Sequence, residues 1–162
     1  MSGDQLPEVL ELIAGADLVV EDFSIGTMDG LELRTRFPHL VWLSITPFGR
    51  GGPFSERVAS EFTIQAESGS IGVRGLPGRE PFQVGGRTTD WIGGTFASVG
   101  APAAVLRAKR TGEGEHVDFS LLEVMNIASS NYMDLFWNLT GDPPAQGLPQ
   151  SVETPSVEPT SD

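Results

Sequence analysis

The chain has 162 residues, long enough for one domain that buries roughly 70% of its unfolded surface. It carries 22 Asp or Glu against 10 Lys or Arg, a net charge of −12, which argues against nucleic acid and anionic membrane surfaces as partners. It has no cysteine, no apolar run near the ~18 residues of a membrane span and an acidic start (MSGDQLPEVLELIAGAD) unlike a targeting peptide, so a soluble cytoplasmic chain without disulfides or thiolate chemistry is expected.

Leu6, Val9, Leu10 and Ile13 recur at helical spacing and predict a helix over Leu6 to Ala14, stopped by Gly15. Asp17 introduces Leu18-Val19-Val20, a short apolar run that reads as a buried strand. After the loop Ser24-Ile25-Gly26-Thr27, Thr27 is expected to cap a helix running to about Arg36 and closed by Pro38. Leu40 to Ile45 reads as a second buried strand, and Thr46 to Pro53 (TPFGRGGP) as a glycine-rich loop directly behind it. Glu61 to Ser68 suits a short helix, and Gly69 to Gly86 is mostly turn signals. A helix is predicted from Asp90 through Lys109, rich in small residues at its start and kinked at Pro102. Thr111-Gly112-Glu113-Gly114 is a turn, Glu115 to Ser120 a strand with Val117 and Phe119 on one face, and Leu121 to Leu139 a longer apolar helix. Helices alternating with buried strands indicate an α/β fold with parallel strands. Residues 142–162 hold five prolines, four acids and no Lys or Arg, and read as a disordered tail behind an ordered region ending near Gly141.

Several familiar chemistries lack their residues. The phosphate-loop, dinucleotide and nucleophile-elbow patterns are absent. His39 and His116 are far apart, lack ligand spacing and read as strand-edge residues, so no metal is expected. The first 33 residues carry eight acids and no Lys or Arg, which reads as a solvated acidic face.

Asp90 stands out because it follows the glycine-rich run Val84-Gly85-Gly86-Arg87-Thr88-Thr89 and opens a helix. The plain role for such a residue is to cap or start the helix, whose dipole favours an acid there. The same placement suits a carboxylate nucleophile. Backbone amides around Gly93 and Gly94 are then candidates to stabilise an oxyanion formed on attack at a carbonyl. A carboxylate attacking a thioester gives a mixed anhydride, which splits one hard exchange into easier steps.

The string from Val84 to Glu123 (VGGRTTDWIGGTFASVGAPAAVLRAKRTGEGEHVDFSLLE) resembles the core motif of class III CoA-transferases, a group that includes acyl-CoA racemases. Two upstream strings, Ala16 to Asp29 and Leu40 to Pro53, resemble the family's segments in the family's order. The resemblance implies a Rossmann-like, open, mostly parallel sheet, with residues 1–141 as a partial CoA-transferase large domain. It implies Asp90 as the catalytic nucleophile, and Asp22, Phe23, Ser24, Phe48 and Gly49 as contacts to coenzyme A, the acyl-CoA co-substrate. It also implies Glu61 as an acidic position near the active site, and a small carboxylic acid as the second substrate. Family members are longer homodimers, so the chain is expected to be a partial form that exposes apolar helix faces and a sheet edge. The family's Asn stands as Asp22 here and its Pro as Ile25, departures that bear on CoA affinity. Racemases place a His before the acid at position 61; here the residues are Ala59-Ser60-Glu61, which favours transfer over proton abstraction. A non-catalytic module that binds CoA or a partner subunit is the alternative from a different class, and an acyl-CoA racemase the further one.

Overall fold

Apolar runs at the three expected places pair into one parallel sheet of order β1-β2-β3: β1 (Leu18–Glu21), β2 (Val41–Thr46) and β3 (His116–Ser120). The structure, a computed structural model, describes residues 6–72, 74 and 79–129. The expected tail of residues 142–162 and the far half of the helix expected to reach Leu139 lie outside the described residues.

The register sorts the strands into two faces. Val19, Trp42 and His116 lie abreast, as do Glu21, Ser44 and Asp118 one step on, followed by Thr46 and Ser120. Leu18, Val41, Leu43, Ile45, Val117 and Phe119 point the other way. Helix α1 (Leu6–Ala14) packs on the first face through Ile13, in one cluster with Met28, Leu33, Leu40 and Trp42. The long helix α4 (Thr88–Thr111) covers the second face.

Small residues let α4 lie close. Ala97, Ala101, Ala104 and Ala108 recur at spacings of three and four and are all buried. Ala104 and Ala108 pack with Leu18, Val41 and Val117 at the strand beginnings. Ala97 and Ala101 pack with Leu43, Ile45 and Phe119 further along. Helix α4 therefore runs against the strands, and its N-terminus, with Asp90, lies at their C-terminal ends. Pro102 lies inside α4 without ending it.

The segment expected as one helix from Thr27 to Arg36 is broken. A turn leads to a 3-10 helix at Asp29–Leu31, Glu32 takes a left-handed conformation (φ 47°), and α2 spans only Leu33–Arg36. Met28 and Leu33 both enter the α1 cluster. Five residues apart on a continuous helix they would diverge by roughly 140°, so the break is what buries both. Thr27 accordingly caps no helix.

The described residues fall into two compact units. One takes in the chain up to Val58 and Asp90–Leu121, which includes the whole sheet; the other takes in Ala59–Thr89 and the residues from Leu122 on. In the second, α3 (Glu61–Glu67) starts at Ser60, whose Oγ accepts the Thr63 amide at 3.2 Å, a capping bond. Helix α5 (Leu121–Ser129) buries Val124 and Met125.

Candidate active site

In open α/β sheets ligands sit outside the C-terminal ends of the strands, where loops are free to vary. Three sequence-predicted groups come to that end of this sheet: Asp22, Phe23 and Ser24 directly after β1, Phe48 and Gly49 after β2, and Asp90 in the first turn of α4. Asp90 is exposed, and Gly94, one turn on along the same side of the helix, meets open space where a side chain would stand. Gly93 is buried; a methyl group there would run into Leu121. Phe23 is 46% exposed.

The amide role expected of Gly93 and Gly94 changes with the observed helix start. Because α4 begins at Thr88, both amides lie past its first turn, where helical N–H groups bond the carbonyl four residues back. Gly94 leaves open space beside the helix, whereas Gly93 lets Leu121 pack against it.

The loop after β2 is anchored by groups without a sequence-predicted role. Arg50 N–H donates to both carboxylate oxygens of Asp118, at 3.0 and 2.9 Å. Its guanidinium lies 5.1 Å from the centre of the Trp42 ring and pairs with Glu21 at 3.5 Å, a separation of an ion pair rather than of a charge-assisted hydrogen bond. The other Glu21 oxygen accepts the Phe23 amide at 2.7 Å. The Glu21 side chain is 1% exposed, so removing its cation would leave a buried charge, at about 3–5 kcal/mol. Gly49 takes φ 80°, the left-handed region that favours glycine, and comes against Asp118 and Ser120.

His116 completes this face. Its ring stacks on Trp42 with centroids 4.3 Å apart, and its Nε2 shares a 2.8 Å hydrogen bond with Ser44 Oγ. Burial, reinforced by the Arg50 charge, pushes its pKa below the ordinary 6.5. The signal for the cluster was the alternation in VWLSIT and HVDFS, which places Ser44, His116 and Asp118 on one face. Arg57 forms a separate contact on the same loop region, 5.5 Å from the Phe48 ring and 5.1 Å from that of Phe54.

In the second unit Glu61 is half-buried. Its Oε1 accepts from Gln65 Nε2 at 2.7 Å, from Thr89 N at 2.8 Å and from Thr89 Oγ1 at 2.9 Å. Gln65, fully buried, bonds Val84 through both N–H and C=O at 2.9 Å. Among the described residues no group of three or more His, Asp or Glu could hold a metal ion, and no helix is long and apolar enough to cross a membrane.

Comparison with known proteins gives the family and the fold. The model of CoA-transferase family III matches residues 2–157. A succinate–glutarate CoA-transferase of Agrobacterium fabrum is 30% identical over 95% of this chain and 40% of its own length. An acetyl-CoA:oxalate CoA-transferase of Acetobacter aceti is 34% identical over 85% of this chain and 36% of its own. The crystal structure of a CAIB/BAIF family protein from Brucella suis superposes with a TM-score of 0.82 at 30% identity, over 90% of this chain and 40% of that one. The chain thus spans about 40% of the length of these relatives.

Proposed function

Because the chain belongs to CoA-transferase family III, we propose that it moves CoA between an acyl-CoA and a small carboxylic acid, with Asp90 as the covalent carboxylate. A carboxylate oxygen of Asp90 attacks the thioester carbonyl, the C–S bond breaks, and CoA leaves as the thiolate. The thiolate then attacks the Asp90 carbonyl, and the acyl group departs as a free carboxylate, leaving CoA on Asp90 as a thioester. An incoming carboxylate reverses these steps and carries CoA away.

The observation that carries this reading is the place of Asp90: exposed, at the ligand end of the sheet, with bare backbone at Gly94 beside it. Phe23 offers an apolar face to CoA at the same end, and Phe48 and Gly49 form the facing loop. Racemisation is the weaker reading, because Ser60 stands before Glu61 and its hydroxyl serves as the α3 cap rather than as a base. A non-catalytic module draws support from the eight acids without Lys or Arg in the first 33 residues, which disfavour polyanionic CoA, and from the chain's spanning about 40% of its relatives' length. Exchange of isotope-labelled succinate into succinyl-CoA separates the readings. The transferase reading expects exchange by the chain and none by Asp90→Ala; exchange that survives the substitution removes Asp90 from the mechanism.

A further inference from the structure

A basic residue in a loop assigned to CoA invites the role of phosphate ligand, but both ends of Arg50 are already engaged. Its amide is held by Asp118 at 3.0 and 2.9 Å, and its guanidinium by Glu21 at 3.5 Å over the Trp42 ring. Glu21, at the last position of β1, also holds the Phe23 amide at 2.7 Å. Asp118 comes from β3, two positions before its end.

From this geometry we infer that Arg50 is a positioning residue: the chain Asp118–Arg50–Glu21–Phe23 locks the loop after β2 to the loop after β1, so that the two present one CoA-binding edge. The inference rests on the CoA reading for the ligand but not for the lock. Strands β1 and β3 and the loop after β2 contribute to it, and its carboxylates act on backbone amides of the segments that hold Phe23, Phe48 and Gly49. Charge placed this way is neutralised inside the protein. Affinity for CoA then depends on where Arg50 puts the loops, and little on Arg50 attracting phosphate.

Hydrogen exchange on the full chain tests the lock without any ligand. The readout is protection of the Phe23 and Arg50 amides in wild type, Glu21→Gln, Asp118→Asn and Arg50→Lys, each checked for folding by its far-ultraviolet spectrum. The lock predicts crossed effects of about tenfold: Glu21→Gln also speeds exchange at Arg50, and Asp118→Asn also speeds it at Phe23. Arg50→Lys, which keeps the amide and the charge, retains most of the protection. Purely local effects, each carboxylate releasing only its own amide, overturn the lock.

The ligand arm titrates CoA and phosphate-free pantetheine into wild type, Asp118→Asn and Arg50→Met. A positioning role weakens both ligands by a similar factor. Loss confined to CoA in Arg50→Met makes Arg50 a phosphate contact and overturns the inference. A wild-type chain that binds neither ligand sinks the CoA reading, while the exchange arm still decides the lock.

Discussion

His116 begins β3 between two neighbours from β2, Trp42 on which its ring stacks and Ser44 which shares its Nε2 hydrogen bond. Burial and the nearby Arg50 charge lower its pKa from 6.5, so the folded protein resists the proton that the unfolded chain accepts. Between the folded value and 6.5 the unfolded state therefore binds more protons, and stability rises with pH across that window. The contribution is full above 6.5 and is lost as pH falls through the folded value. Denaturant unfolding from about pH 7 to about pH 5.5 should show this loss in wild type and a shallower slope in His116→Gln. Equal slopes would place the imidazole in water. The sequence placed this histidine correctly at the start of a strand. Its partners were not legible, because Ser44 lies 72 positions away and only the β2–β3 register joins them. Glu21, Arg50 and Asp118 escaped notice for the same reason, since no motif spans two strands and the loop between them.

Helix α4 was the most legible element. Its Gly and Ala run announced close packing, and the stripe Ala97, Ala101, Ala104 and Ala108 is the one that meets the sheet. Filling that stripe forces the layers apart: Ala104→Leu should cost about 1–3 kcal/mol in chemical denaturation. Leu106→Gln, on the face where Leu106 is 52% exposed, should stay within about 0.5 kcal/mol. Equal losses would mean that α4 does not pack on the sheet through its alanines. The segment before β2 was misread as one helix for an instructive reason. Its residues permit a continuous helix, and Glu32 enters the left-handed region, a conformation costing a non-glycine residue roughly 1–2 kcal/mol, only because Met28 and Leu33 are both buried in return. Local signals cannot carry that trade. Glu61 was legible as a first-turn acid of α3, but its three hydrogen bonds were not, since two come from Thr89, 28 positions on.

At the scale of the whole molecule, α4 also presents Trp91 (75% exposed), Val99 (73%) and Leu106 (52%) within one helical stripe opposite the alanines. Large apolar side chains aligned in this way favour association, and a net charge of −12 opposes it at low salt. Sedimentation velocity should show a weight-average coefficient that grows with protein concentration and grows further when salt screens the repulsion. A single monomer boundary under all conditions would show that the stripe is inert. The family and the parallel sheet were legible from the order of three short strings; which acids and acyl groups are used was not, since the chain spans about 40% of the length of the relatives whose substrates are known by name. The account turns on Asp90 forming bonds to substrate, and mass spectrometry of the chain after incubation with succinyl-CoA reads this directly. The account predicts a peptide containing Asp90 that is heavier by CoA and an unmodified one from Asp90→Asn; an unmodified Asp90 in wild type, or an adduct that persists in the variant, contradicts it.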